Sequence, residues 1–246
     1  MRFGNRCQIA QKTARVAGTQ QAVNSAGRGN EMSYQIAKTV QEVGRDIEAS
    51  LCSGNAANAG SASVARKSAG VARWLWDNNE ATGVTGATTG TVSSGVPGTD
   101  VADTTVAAAL TETRLKTTIQ DCWEDGGNPT LILCSAPDKV TMSGFSGIAT
   151  QYKDNNMGPA TIVAAADYYV SDFGTHQIVA SHFMPSAAQR YVGVIDLEHW
   201  EVCYLRGMQQ KPLSKTGDSD RTQVLAEYTL ACLNHQASGK VSGVST

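Results

Sequence analysis

The stretch Asn30-Glu31-Met32-Ser33-Tyr34-Gln35-Ile36-Ala37-Lys38-Thr39-Val40-Gln41-Glu42-Val43-Gly44-Arg45-Asp46-Ile47-Glu48-Ala49-Ser50-Leu51-Cys52 decides the fold. Met32, Ile36, Val40, Val43, Ile47 and Leu51 recur at steps of four, four, three, four and four, the apolar stripe of an α-helix. Lys38, Glu42, Arg45 and Glu48 fall off the stripe, Asn30 can cap the start, and Gly54 stands where a left-handed residue would close the end. Such a helix is roughly 33 Å long at 1.5 Å per residue. Gly44 weakens it by about 1 kcal/mol relative to alanine, so packing has to hold it. A long helix with one apolar side needs a sheet or another helix along it. An unpaired carboxylate on the stripe, as in Ile36→Asp, is expected to abolish folding.

Downstream, residues 77–105 shift to Gly, Thr, Ser and Ala, with a Pro97-Gly98 turn, and read as a long loop marking a subdomain boundary. Thr111 then caps a helix through Leu115, Ile119, Cys122 and Trp123, stopped by Gly126-Gly127 and Asn128-Pro129. Leu131-Ile132-Leu133-Cys134 reads as a buried strand, and Pro137 opens a short helix ending near Gly144. Strand-like runs follow at 162–170, 177–183, 191–195 and 200–205. A last strand carries Val224, Ala226, Tyr228, Leu230 and Cys232 on one face, with Glu227 and Thr229 opposite. The class is α+β, and no internal repeat is visible.

Upstream, Arg2, Arg6, Lys12, Arg15 and Arg28 precede the first acidic residue, Glu31, so the chain opens on a basic arm that reads as solvated or partner-facing. Over all 246 residues, 20 Lys and Arg stand against 22 Asp and Glu, a net charge of −2 that gives no global basic footprint for sequence-specific DNA reading. Hydrophobic content of 41% with only 17% charged residues excludes a disordered tail. No 18-residue apolar run and no N-terminal h-region are present, so neither a membrane span nor a secretory signal is expected. Cys7, Cys52, Cys122, Cys134, Cys203 and Cys232 are scattered without C-x-x-C, and read as free thiols of a reducing cytoplasm.

Motifs for bond-making chemistry fail in turn. Met32 stands where Gly27-Arg28-Gly29 would need the third glycine of a dinucleotide fingerprint. Lys215-Thr216-Gly217 matches the K-T-G of β-lactam-opening acyltransferases, but no serine begins S-x-x-K, so the triplet reads as a turn. Gly144-Phe145-Ser146-Gly147 approaches a nucleophile elbow, yet Ile148 replaces its last glycine. His176, His182, His199 and His235 form no H-x-x-x-H and read as surface or turn histidines. Asp196 with Glu198, and Asp218 with Asp220, read as turn caps. No catalytic, cofactor-binding or metal-binding residue is therefore assigned, and no cofactor is expected. A small cytoplasmic serine hydrolase using Ser146 or Lys215 is the remote alternative.

Six strings, in order, carry a resemblance: Gly18-Thr19-Gln20-Gln21-Ala22-Val23, Asn30-Glu31-Met32-Ser33-Tyr34-Gln35, Gly127-Asn128-Pro129, Ser143-Gly144-Phe145-Ser146-Gly147, Tyr169-Val170-Ser171-Asp172-Phe173-Gly174 and Lys215-Thr216-Gly217-Asp218-Ser219. With them the chain resembles the major capsid (major head) proteins of tailed bacteriophages over nearly its whole length. The resemblance implies a shell subunit with a long spine helix, a peripheral domain, an axial domain and an extended β-hairpin loop. Residues 1–27 would be a remnant of that loop with its lead-in, its first strand missing. Residues 28–105 would be the first pass of the peripheral domain, with the spine at 30–52 and the Gly/Thr/Ser-rich loop at 77–100. Residues 106–210 would be the axial domain, and 211–246 the return to the periphery.

The function implied is self-assembly into hexamers and pentamers of an icosahedral head around double-stranded DNA, touched nonspecifically. Portal, scaffold and decoration proteins would be further partners, with no membrane and no small-molecule substrate. The location would be the virion, assembled in the host bacterial cytoplasm. A non-viral nanocompartment shell of the same fold is the alternative. Lys12 is the one lysine of the basic strand for the lysine–asparagine weld that some relatives make, and no cross-link is expected. Gly207 stands where relatives often have proline after Tyr-Leu-Arg, which should loosen a turn.

Overall fold

A computed structural model describes residues 3–23, 27, 29–81, 92–93, 96–97, 108–145, 167–185 and 190–245. In chain order the elements are β1 (Gln8–Ala17), α1 (Gly18–Ala22), α2 (Glu31–Cys52), α3 (Val71–Trp74), β2 (Asn79–Glu80), β3 (Val92–Ser93), β4 (Val96–Pro97) and β5 (Ala108–Ala109). They continue with α4 (Glu112–Glu124), β6 (Leu131–Cys134), α5 (Ala136–Ser143), β7 (Tyr168–Ser171), β8 (Gly174–Ala180), β9 (Tyr191–Ile195), β10 (Trp200–Leu213), β11 (Ser219–Cys232), β12 (Gly239–Ser242) and β13 (Val244–Ser245).

The spine helix α2 forms as its stripe predicts, and the Asn30 side chain accepts from the Ser33 backbone N–H at its start. It lies on an antiparallel sheet of order β1-β11-β10. Val43 and Ile47 pack against Val224, Ala226 and Tyr228 of the central strand, with Val40, Leu51, Ala10 and Val202 half-buried around them. Register explains the choice: Ala10 faces Ala226, and Val202 faces Leu230, so alternate residues of all three strands share the helix side.

Two details of the helix differ from the sequence reading. Met32 and Ile36 are only half-buried, because the packing partners concentrate under the C-terminal half, at Val43 and Ile47. The disruption expected of Ile36→Asp therefore belongs to Val43 and Ile47. Gly54 takes no positive φ; the chain leaves through Ser53 in an extended conformation, and the Arg73 Nε donates to the Gly54 carbonyl.

The second sheet has the order β2-β12-β9-β6-β8-β7. Its core joins Leu115, Ile119 and Cys122 of α4 and Met142 of α5 to Ile132, Ile178, Val192, Val194 and Val241. α4 starts on Thr111, whose hydroxyl accepts from the Arg114 N–H, and stops as its glycines predict. Gly126 has φ +84° and donates to the Trp123 carbonyl, while Gly127 donates to that of Cys122, closing the helix with two reversed bonds. A Cβ on Gly127 would come within 2.4 Å of the Ala237 carbonyl oxygen, so that position admits only glycine.

The two sheets cut across the linear division expected from sequence. β10 begins at Trp200, inside 106–210, yet pairs in the spine sheet; β12, inside 211–246, pairs with β9 in the other. β1 pairs along β11 from Gln8↔Tyr228 to Ala17↔Ser219. Gly207 lies within β10, where the register slips on both sides of Arg206, and so belongs to a strand bulge and not to a turn. Most of the 77–100 loop and residues 162–166 of the strand expected at 162–170 lie outside the described residues; the rest of that strand forms as β7.

Ile47→Ala is expected to lower the unfolding free energy by about 2–4 kcal/mol, and Ile36→Ala by clearly less. Gly44→Ala, on the exposed side where a Cβ meets nothing within 4 Å, should raise it by about 1 kcal/mol. Urea denaturation of the three variants checks the order, and equal losses at positions 36 and 47 would show a stripe buried along its whole length.

Candidate assembly surface

Among the described residues, His176, Asp196, His199, His235 and Lys215 are engaged by the fold. His176, expected near the surface, is 1% exposed. Its Nδ1 lies 2.7 Å from the Pro129 carbonyl and so donates to it, leaving Nε2 to accept from the Ser171 hydroxyl at 2.7 Å. The same hydroxyl oxygen accepts from the Phe173 N–H, so the string 169–174 is a hairpin lock in which Gly174 supplies φ +139°. Asp196 accepts from the backbone N–H groups of Asn128 and Glu198, which makes it the turn cap the sequence suggests. His199 lies 3.7 Å from Asp196, and His235 stands 2.8 Å from Asp77, stacked on Trp76.

Lys215, in the turn between β10 and β11, pairs with Asp220 at 2.7 Å. Ser146 lies outside the described residues. The six cysteines are free, and burial pushes the Cys122, Cys134 and Cys232 thiols up to about 12, which leaves them unreactive. Among the described residues no cluster of His, Cys, Asp or Glu could hold a metal ion, and no helix is long and apolar enough to cross a membrane.

What the fold does present is contact surface. Lys12 on β1 reaches Asp46 at 2.9 Å and Glu42 at 3.6 Å on α2, and the hydrogen bond it donates to Asp46 leads the effects that raise its pKa. On the sheet face away from the helix, Glu227 is 4% exposed between Arg66 and Arg206, at 2.9 and 2.8 Å. Beside them the bulged edge strand exposes Tyr204, Leu205 and Met208. Neither the Glu227 triad nor the bulge was signalled by the sequence, since Arg66 and Glu227 are far apart along it.

Arg114, 6% exposed, ties the root of the 77–105 region. Its guanidinium donates to the carbonyls of Glu80, Ala108, Ala109 and Ser242 and pairs with the Glu80 carboxylate at 3.2 Å. The segment between residues 80 and 108 therefore leaves and returns at one point.

The described parts of the six strings lie mostly at helix ends and turns. Gly18 donates to the Asp218 carbonyl, joining the first string to the last, and its hydrogen sits where a Cβ would strike the Asp218 side chain. The family model described as SU10 major capsid protein matches residues 1–245. The chain belongs to that family.

Solved structures agree on the fold. The cyanophage A-1(L) capsid asymmetric unit superposes with a TM-score of 0.64 at 12% identity, covering 97% of this chain and 78% of that one. The satellite phage P4 procapsid gives 0.57 at 8% identity, over 97% and 71%. The holo-SrpI encapsulin complex of Synechococcus elongatus PCC 7942 gives 0.55 at 12%, over 97% and 74%. No curated protein matches. The SU10-family chain is thus a capsid shell subunit with a phage capsid fold, and the site to seek is a surface for other subunits.

Burial lowers the pKa of His176 below its ordinary 6.5, so the unfolded chain binds the proton more readily. Stability should be complete at neutral pH and fall as the pH drops below about 6.5 toward the lowered folded value. Thermal melts from pH 7.5 to 5 check this, and His176→Gln should flatten that part of the profile.

Proposed function

We propose that the chain assembles into the hexamers and pentamers of an icosahedral phage head enclosing double-stranded DNA. The observation that carries this reading is the family match over residues 1–245. In it, the six-stranded unit serves as the axial domain, and α2 with the three-stranded sheet as the peripheral domain. Each subunit makes several modest contacts, and every contact formed raises the effective concentration for the next. A specific interface buries about 1,200–2,000 Å² in total, and the basic β1 and the segment rooted at Arg114 are the donors of area proposed here.

Contact with packaged DNA is nonspecific and salt-sensitive in this reading. Portal, scaffold and decoration proteins meet the shell, which is built in the host bacterial cytoplasm, and the subunit itself performs no bond chemistry. Lys12 contributes no covalent weld in this reading; its ammonium group pairs with Asp46 and Glu42 of its own α2.

Expression in bacteria is expected to give closed shells visible by negative stain, with nuclease-protected nucleic acid inside and single-subunit bands on denaturing gels. Shells filled with protein cargo would favour a nanocompartment, and a dispersed monomer that hydrolyses generic esters would overturn the shell reading altogether.

A further inference from the structure

The three-stranded sheet is covered by α2 on one face only. On the other face the register sets Arg15 of β1 directly opposite Arg221 of β11, with Leu213 of β10 beyond, and Lys211 one row along opposite Gln223. Cross-strand neighbours stand about 5 Å apart, so the two guanidinium groups repel within a lone subunit. Among the described residues the side chains of Arg15, Lys211 and Arg221 have no ion-pair partner, and the Nε of Arg221 is shut from solvent with nothing to accept its proton. A buried donor in this state is a cost that an incoming acceptor removes.

The opposite defect sits at the end of α4. Asp121 and Glu124 lie in its last turn and Asp125 caps it, where the helix dipole is already negative and no basic side chain stands. Burial, then the charges of Glu124, Asp125 and Glu80, push the Asp121 carboxyl up. Glu124 accepts from Gln120, and among the described residues none of the three carboxylates has a cationic partner. Trp123, between them in sequence, is 53% exposed. Residues three and four apart on a helix stand about 5–6 Å apart, close to the roughly 5 Å between neighbouring strands. The two triads are opposite in sign.

We propose that the open face of the three-stranded sheet, at Arg15, Lys211 and Arg221, is the docking surface for the acidic end of α4 of a second copy of this chain. The contact rests on the shell reading above and names one of its interfaces. Arginine forks suit carboxylates, and the exposed indole of Trp123 supplies an aromatic anchor beside Leu213 and the guanidinium groups. A polyanion such as DNA would satisfy the basic triad but would leave the acidic end of α4, with its exposed tryptophan, unrelieved. A second copy answers both defects in a single contact, repeated by symmetry.

Charge exchange tests this. Arg15→Glu with Lys211→Glu, both at exposed positions, should cut the yield of shells at least about tenfold by sedimentation and negative stain, and so should Glu124→Lys with Asp125→Lys. Combining the four substitutions should restore assembly, because the attraction returns with its signs swapped. Circular dichroism melts are expected to show each variant folded. Folded double variants that assemble normally would overturn the contact, as would a quadruple variant that stays dispersed. Normal shells that merely lose nucleic acid in the Arg15→Glu/Lys211→Glu variant would overturn it in favour of DNA. Failure of the unaltered chain to assemble would instead defeat the shell reading.

Discussion

The contact between the C-terminal half of α2 and the central strand β11 is the constraint on which the rest depends. Val43 and Ile47 meet Val224, Ala226 and Tyr228 across more than 170 positions of chain, and β11 then pairs with β1 on one side and β10 on the other. Each outer strand has β11 as its sheet partner, so seating that strand on the helix fixes three segments at once. Its opposite face carries Glu227, which gathers Arg66 and Arg206. One strand thus has an apolar side that locates the helix and a charged side that locates a loop and an edge. Contacts of such separation close late, because the chain between them must first lose its freedom.

The two sheets are joined by polar side chains that end on backbone carbonyls. Tyr191 of β9 donates to the Cys52 carbonyl at the end of α2, and the fully buried Lys240 of β12 donates to that of Ala72. Arg114 does the same at several carbonyls around β2, β5 and β12. Buried cations and hydroxyls used this way satisfy chain ends that loops leave without partners. They also consume the groups that an enzyme would aim into a cleft. His176 illustrates the point: its serine and carbonyl partners resemble parts of a nucleophilic site, yet they serve to hold a hairpin shut.

Legibility in the sequence followed the range of the physics involved. The spine stripe, the Asn30 and Thr111 caps and the Gly126-Gly127 stop depend on residues within one or two turns, and they were readable. The unequal burial of Ile36 and Ile47 was not, since both fit the same periodicity and differ only in which part of the sheet lies beneath them. Sheet membership was harder still. β12 is a run of small and polar residues around Val241, buried by its neighbours rather than by its own hydrophobicity. β10 hides its second half behind Gly207 and Pro212, residues that argue against a strand but are tolerated at a bulged edge. Of the contact surface, the basic character of β1 was legible; the partners of Lys12 and Glu227 needed the register.

A bulged edge, an exposed aromatic and like charges set side by side would be faults in a protein meant to remain alone. The slip around Arg206 disrupts the regular ladder of β10, which discourages indiscriminate strand pairing. What remains available there is side chains, Tyr204, Leu205 and Met208, whose fit to a partner depends on shape. Opposed positive charges on the sheet and crowded carboxylates at α4 act in the same direction, because each repels its own kind and accepts only its complement. Such contacts can stay individually weak, so that a subunit seated wrongly in a growing shell can leave again, while symmetry multiplies the correctly seated contacts into a lasting closed surface.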